Sequence, residues 1–156
     1  MNNNEISLLG IPDWQYAGKG ISTLEEFEEG VIGFIYRIDL SNERSYIGRK
    51  KLYSERKRNF GKKEKALITD KRKKLYEMVK KESDWTSYIG SNKQLHKDVL
   101  DGVRITNRSI LGVYKTEKEI TYYETYYLFV NDVLIDERYY NDNILGKFFR
   151  KDLIHG

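Results

Sequence analysis

The stretch "GFIYRIDLSNERSYIGRKKLYSER", residues 33–56, contains the pattern that decides the fold. Apolar and aromatic side chains alternate with others along "VIGFIYRIDL" (31–40), which predicts a β-strand. The letters "SNE" predict a turn and "RSYIG" a second, shorter strand, so the two strands form a hairpin. Tyr36 and Tyr46 lie ten positions apart, one in each strand. Around a short turn, this spacing can bring both phenols close together on one face of the sheet.

The composition excludes several classes of protein. A chain of 156 residues is one ordinary domain that can bury a single core. It contains no cysteine, which excludes disulfides and thiolate zinc sites. No apolar run approaches the roughly 18 residues that span a membrane, and the start "MNNNEISLLG" lacks the features of a secretory signal. We therefore expect a soluble, cytoplasmic protein.

The rest of the chain predicts helices and one more strand. "TEKEITYYETYYLFVNDVL" (116–134) is the clearest helix, because Thr116 and Glu119 form a capping box. "VRITNRSILGVY" (103–114) alternates as a third strand. Further helices are predicted at "STLEEFEEG" (22–30) with Ser22 as its cap, at "KLYSERKRNF" (51–60), at "ALITDKRKKLYEMVKKE" (66–82), and at "NKQLHKDVLD" (92–101) after the cap Ser91. The predicted fold class is α+β, a small three-stranded antiparallel sheet flanked by helices, with a short helical N-terminal appendage.

Charge is unevenly distributed. Residues 49–81 contain 15 Lys or Arg and 4 Asp or Glu, whereas the remainder contains 13 basic and 20 acidic residues. Such a basic segment inside an acidic chain suits a polyanionic partner. A solvated, lysine-rich helix face explains the same charges equally well, so charge does not decide the function.

Two phenols and a guanidinium at one place suit a phosphodiester, since they supply a proton acceptor, an orienting group and a stabiliser of negative charge. With Arg56 ten residues beyond Tyr46, "GFIY…SYIGRKKLYSER" resembles the start of a GIY-YIG nuclease domain. The resemblance covers about residues 31–145. It departs from the pattern at Phe34, where the glycine of "GIY" is offset to Gly33. The implied division is an appendage at residues 1–30 and a nuclease domain at residues 31–156, with a basic helical segment at about 49–81.

The resemblance implies a set of site residues. By position these are Tyr36, Tyr46, Arg56, the metal-binding Glu124 and Asn141. Glu124 lies about 40° from Ile120 around the helix, at the edge of the predicted apolar stripe of Ile120, Tyr123, Tyr127, Val130 and Leu134. A second "SYIG" (87–90) has unrelated flanking sequence. It is therefore not a duplicated module, and we interpret it as a decoy for the motif and a packing turn.

The implied reaction is metal-dependent hydrolysis of DNA, with 5′-phosphate and 3′-hydroxyl products. One carboxylate with several waters suits Mg²⁺, or Mn²⁺ in its place. Tyr36 is the candidate general base, Tyr46 its orienting partner, Arg56 the charge-neutralising group and Asn141 a positioning group. Both phenols belong to one site, so the residues leave open which of them is the base.

The implied partner is double-stranded or branched DNA in a bacterium or phage-infected cell, and phage-borne members of the family look most similar. The oligomeric state is open. The cations expected to grip DNA are Arg49, Lys50, Lys51, Arg58, Lys62, Lys63, Lys71, Arg72, Lys73 and Lys74. The main alternative is a non-catalytic nucleic-acid-binding module on the same fold. A weaker one is a protein-interaction factor whose basic run binds an acidic partner.

Overall fold

The structure is a computed structural model that describes residues 10–154. The described residues form two compact units, one of residues 10–52 with 84–154 and the other of residues 53–83. Residues 1–9 of the predicted N-terminal appendage lie outside the described residues. No helix within 10–154 is long and apolar enough to cross a lipid bilayer.

The secondary structure alternates short strands and helices. The strands are β1 (Trp14–Tyr16), β2 (Lys19–Ile21), β3 (Gly33–Leu40), β4 (Ser45–Lys51), β5 (Tyr53–Asn59), β6 (Tyr76–Glu82), β7 (Ile105–Tyr114), β8 (Asn143–Ile144) and β9 (Phe148–Phe149). The helices are α1 (Lys62–Ala66), α2 (Lys93–Leu100), α3 (Glu117–Val130) and α4 (Arg150–Leu153). Single 3₁₀ turns occur at Leu24–Glu26 and Trp85–Ser87.

The main unit contains a five-stranded mixed sheet in the order β2-β1-β7-β3-β4. The hairpin β3–β4 and the pair β3–β7 are antiparallel, as the alternation predicts, whereas β1 runs parallel to β7. The prediction of a three-stranded antiparallel sheet is therefore wrong. It missed β1 and β2 because each has only three residues, too few for an alternating pattern to be recognised.

The N-terminal helix prediction is corrected as well. The expected helix at residues 22–30 is one 3₁₀ turn whose N-cap is Thr23 rather than Ser22. Glu26 accepts hydrogen bonds from the backbone of Ser22 and Thr23, which completes a capping box one residue later than expected. The described residues 10–30 contain no α-helix. A domain boundary near residue 30 stays a prediction.

The two faces of the sheet are covered differently. One face carries an aromatic cluster in which Trp14 and Phe34 pack edge to face at 4.9 Å, with Tyr36 and Trp85 against them. On the other face, Ile35 and Ile47 form a core with side chains from α3 and the segment after it. The long helix therefore covers one face of the hairpin, and aromatic rings cover the other.

The second unit is not helical. In place of the two predicted helices at 51–60 and 66–82, β5 and β6 form an antiparallel ribbon joined by the short helix α1. Arg58 on β5 binds both Glu64 and Glu77, and the Lys57 ammonium lies 4.1 Å from the centroid of the Tyr76 ring. These partners are up to 19 positions apart in the chain, which explains why a local pattern predicted helix.

Candidate active site

The hairpin places both predicted tyrosines on one face, as expected. Tyr36 on β3 lies opposite Gly48 on β4, and Ile38 lies opposite Tyr46, so the two phenols are diagonal neighbours across the pair. Their ring centroids are 6.2 Å apart. Tyr36 is 1% exposed, whereas Tyr46 is only partly buried.

Two glycines make room for the phenols. A Cβ on Gly48 would lie 2.5 Å from the hydroxyl oxygen of Tyr36 and 3.0 Å from Cε1 of Tyr46. A Cβ on Gly90 would lie 3.0 Å from Cε1 of Tyr46 and 3.3 Å from the Tyr36 hydroxyl, and Gly90 also has a φ of +89° that favours glycine. The glycine of each "YIG" therefore allows backbone to approach the same pair of tyrosines.

A cleft of about 840 Å³ opens beside this pair in the main unit. Tyr46, Glu124 and Asn141, three of the predicted site residues, line it together with Ser91, Asn92 and Asp142. Since β4 is the edge strand of the sheet, groups from its two faces meet at this edge. The hairpin, α3 and the segment around residue 141 therefore converge on one concave surface.

Glu124 reaches the cleft from the middle of α3. Thr116 caps this helix, and its hydroxyl accepts a hydrogen bond from the backbone N–H of Glu119, as predicted. The buried stripe runs through Ile120 and Leu128, so Glu124 lies in line with it rather than at its edge. Two members of the predicted stripe are exposed, namely Tyr123 and Val130, and that part of the prediction is wrong.

The cation nearest the carboxylate is Arg49. Its Nε lies 3.9 Å from Oε1 of Glu124, and its Nη1 donates a 2.9 Å hydrogen bond to the hydroxyl of Thr121 one turn earlier on α3. The guanidinium, which is about half exposed, is thus held on the helix beside the carboxylate. An arginine in this place can also contact a phosphate in the cleft.

Burial controls the titration of the acidic groups. It raises the pKa of Glu124, which the positive charge of Arg49 partly offsets. Burial also raises the pKa of Tyr36 well above that of a free phenol, and the negative charge of nearby groups adds to the effect. The pKa of Tyr46 is raised by burial too, but a hydrogen bond with Ser91 works in the opposite direction. Each of these shifts favours the neutral form until a cation enters the cleft.

Asn141 is a structural partner of the first "SYIG" (45–48). Its side-chain oxygen accepts a 3.1 Å hydrogen bond from the N–H of Ile47, and its side-chain nitrogen donates a 2.8 Å bond to the carbonyl of the same residue. The side chain is almost fully buried. The geometry therefore shows Asn141 holding the backbone between Tyr46 and Gly48 in place.

The second "SYIG" is a turn that packs against the tyrosine pair, as expected of a packing turn. The Tyr88 ring packs edge to face on the Tyr36 ring, with 6.0 Å between the ring centroids. The Lys50 ammonium lies 4.0 Å from the centroid of the Tyr88 ring and 2.5 Å from an oxygen of Asp84. Tyr88 is thus a third phenol of the site, and its only signal in the sequence was the repeated string.

Arg108 holds this second motif on the sheet. Its guanidinium is 2% exposed and donates hydrogen bonds of 2.7 to 2.9 Å to the carbonyls of Pro12, Thr86 and Tyr88. Burial lowers the pKa of Arg108 to about 10. Three carbonyl acceptors compensate for part of the cost of burying the charge. The sequence gives no signal for this role of Arg108, because its carbonyl acceptors come from distant parts of the chain.

The predicted basic residues divide into two groups. Several bind carboxylates: Arg49 binds Glu124, Lys50 binds Asp84, Lys51 binds Glu117, Arg58 binds Glu64 and Glu77, and Arg72 binds Asp70. The others, Lys62, Lys63, Lys71, Lys73 and Lys74, are exposed and lie in no salt bridge with a described residue. Arg56 was predicted on a helix, and it lies instead on β5 opposite Val79, with its side chain exposed.

The cleft fits a cation that needs few protein ligands. Within residues 10–154, no group of three His, Cys, Asp or Glu side chains forms a ready-made metal centre. Glu124 offers one carboxylate at the wall of an open cleft, and Mg²⁺ is commonly held by one or two carboxylates with its remaining positions filled by water and phosphate. The partly buried carboxylate, whose charged form burial disfavours, would gain from such a counter-charge.

Comparison with known proteins identifies the family. Residues 14–144 match the family model described as "Putative endonuclease segE, GIY-YIG domain". Neither a curated protein nor a solved structure matches the chain. The matched range includes β1 and all the site residues described above, and it exceeds half of the chain. The chain therefore belongs to the GIY-YIG nuclease family.

Proposed function

We propose that the protein is an endonuclease that hydrolyses DNA phosphodiesters in the cleft of the main unit, with Mg²⁺ or Mn²⁺ and with 5′-phosphate and 3′-hydroxyl products. Family membership supports a hydrolase that acts on nucleic acid and depends on a metal. The observation that carries the proposal is that Tyr46 and Glu124 line one cleft, with Arg49 beside Glu124 and Tyr36 packed behind Tyr46.

Glu124 is the proposed metal ligand. When bound, the ion would polarise the phosphate and stabilise the leaving oxygen. The carboxylate must be ionised to hold the ion, and the adjacent Arg49 favours that charged form. A helix fixes the backbone of Glu124, so the carboxylate is presented from a rigid element.

The tyrosine pair is the proposed acceptor of the proton from the attacking water. Tyr46 lines the cleft, whereas Tyr36 is buried behind it, so the oxygen that a water in the cleft meets first is that of Tyr46. We therefore assign proton acceptance to Tyr46 and its orientation to Tyr36, which exchanges the roles expected from sequence. A phenol accepts a proton only as phenolate, and positive charge in the cleft is what lowers its pKa toward neutrality.

Arg49 is the proposed stabiliser of charge on the phosphate. It lies beside Glu124 in the same unit, and about half of its side chain is open to a ligand. Arg49 therefore supplies a guanidinium beside the proposed metal ligand without requiring Arg56, whose expected catalytic role is supported by no contact in the structure. Asn141 supports the reaction through the backbone of Ile47, which lies between Tyr46 and Gly48.

The test is cleavage of supercoiled plasmid DNA by wild type, Glu124→Ala and a matched control, Glu29→Ala, whose side chain is exposed. Wild type and control should nick or linearise the plasmid with Mg²⁺ and leave it intact with EDTA, and Glu124→Ala should lose cleavage by at least about 10²-fold. Equal cleavage by all three proteins would show that Glu124 has no part in catalysis. If all three proteins retard the plasmid in the gel but none cleaves it, and none cleaves branched DNA or RNA, the non-catalytic binding module is favoured.

A further inference from the structure

The ribbon unit, residues 53–83, has no core of its own. None of its 31 side chains is buried, and Leu67, Leu75 and Met78 are 83%, 47% and 54% exposed. A two-stranded hairpin without such burial is marginally stable in water. Its cross-strand contacts are polar, with Arg58 joined to Glu77 on the opposite strand and to Glu64 at the tip. A large fraction of its surface is therefore available to a partner.

The ribbon unit carries the strongest positive charge of the chain. It contains 12 Lys or Arg and 5 Asp or Glu. Only Arg58 and Arg72 form salt bridges within it, so the other ten cations have no described carboxylate within salt-bridge distance. Many of these lie in the connection between β5 and β6, on α1 and in the run from Lys71 to Lys74. The internal ion pairs stabilise the ribbon, and the remaining cations are left for a polyanion.

The shape of the ribbon favours duplex DNA over duplex RNA as the polyanionic partner. Each strand has seven residues, which corresponds to a length of roughly 23 Å. The major groove of B-form DNA is about 12 Å wide and accepts a two-stranded ribbon, whereas the major groove of A-form RNA is too deep and narrow for side chains to read. The ammonium groups of Lys57 and Lys74 lie 4.1 and 5.4 Å from the centroid of the Tyr76 ring. Part of the positive charge of the ribbon is therefore already held in place around this ring.

We propose that residues 53–83 form a DNA-binding arm that lies in the major groove of duplex DNA and binds phosphates through the cations of its tip. The proposal rests on the proposed function in so far as DNA is the substrate. Because lysines dominate the tip, the contacts position the duplex rather than specify its sequence. The arm would thereby add affinity for DNA to that of the cleft in the main unit.

The test measures binding without cleavage, using full-length protein with Glu124→Ala and EDTA on a 30-base-pair duplex. One variant adds Lys63→Gln, Lys73→Gln and Lys74→Gln in the arm. A matched control adds Lys97→Gln, Lys118→Gln and Lys147→Gln, three exposed lysines of the main unit with the same change in net charge. The salt dependence of the dissociation constant is recorded for each protein.

The arm variant should lower the slope of log affinity against log salt by about 3, since each phosphate contact contributes roughly 0.9, and weaken binding at 0.1 M salt on the order of 10²-fold. The control should bind like its parent. Dimethyl sulfate should show protection of guanine N7, a major-groove atom, and the arm variant should lose that protection.

Equal weakening in both variants would refute the arm and indicate an effect of net charge. Protection of adenine N3 instead of guanine N7 would refute the major groove, as would equal competition by duplex RNA. Because no step requires cleavage, these results are separate from the plasmid assay. If the wild type does not cleave DNA but still protects guanine N7, the DNA-binding arm is supported and the proposed nuclease activity is refuted. If it cleaves DNA without protecting N7, the nuclease activity is supported and the arm is refuted.

Discussion

Gly48→Ala tests whether the fit of the tyrosine pair determines activity. The added Cβ would lie 2.5 Å from the hydroxyl oxygen of Tyr36, where ordinary contact requires about 3.4 Å, so the phenol must move by about 1 Å. Tyr36 has little room to move, because the rings of Trp14, Phe34 and Tyr88 enclose it. Overpacking of this kind costs about 1–3 kcal/mol of stability. A displacement of about 1 Å in a catalytic group can lower the rate about 10²-fold.

The assay pairs plasmid cleavage rates with thermal unfolding of Gly48→Ala and of a control, Gly112→Ala. In the control, the added Cβ would lie 2.3 Å from the hydroxyl of Tyr114, so the overpacking is similar but lies outside the tyrosine pair. Both variants should lower the melting temperature by roughly 2–4 °C per kcal/mol lost. Only Gly48→Ala should lose cleavage at a temperature where both proteins are folded.

Two results would refute this reasoning. If both variants lose cleavage to the same extent, general destabilisation rather than the position of the phenols controls the rate. If Gly48→Ala cuts like wild type, then the contact between Tyr36 and the backbone of β4 has no part in catalysis. Cleavage retained with a lowered melting temperature would lead to the same conclusion.

Three further predictions follow from contacts in the main unit. Tyr88→Phe removes the hydroxyl from the ring that packs on Tyr36 and that adds to burial in raising the pKa of Tyr36, so it should lower kcat and shift the pH–rate profile, whereas the exposed Tyr122→Phe should change neither; an unchanged profile would make Tyr88 a packing residue only. Glu124→Gln should raise the melting temperature of the metal-free protein at pH 7. Burial raises the pKa of this carboxyl in the folded state, so its ionisation destabilises the fold as the pH rises from about 4.5 through that raised pKa. The gain in melting temperature should therefore vanish below about pH 4.5, the ordinary pKa of the group; a gain that persists at pH 3 would contradict this cause. Asn141→Ala should cost about 2–3 kcal/mol in denaturant unfolding, because both hydrogen bonds to Ile47 are lost; a loss below 0.5 kcal/mol would show that water replaces them.

Local patterns predicted the parts of the fold that depend on neighbouring residues. The alternation of residues 31–40 and the short turn specify the β3–β4 hairpin, and Thr116 with Glu119 specifies the start of α3. The prediction failed where stability comes from distant pairs. The local pattern of the ribbon unit predicts helix, because Arg58 meets Glu77 only after the chain has turned back on itself.

The same distinction between local patterns and distant contacts applies to the candidate site. Tyr36, Tyr46 and Glu124 were identified from motif and spacing; in the structure Tyr46 and Glu124 line one cleft, and Tyr36 packs behind Tyr46. Tyr88 was visible in the repeated string, yet its role depended on where the second motif lies. Arg108 stabilises that position, because it donates hydrogen bonds to the carbonyls of Thr86 and Tyr88 in this loop as well as to that of Pro12.

By itself, the sequence determined the hairpin, the long helix and the family of the protein, since strand alternation, helix capping and motif spacing act within a few tens of residues. Only the tertiary structure decided which cation lies beside Glu124, that both "YIG" glycines face one pair of phenols, and that the basic segment is a ribbon. The physical reason is that burial, ion pairing and close backbone approach are properties of atoms in contact. Those contacts join positions that no local pattern connects.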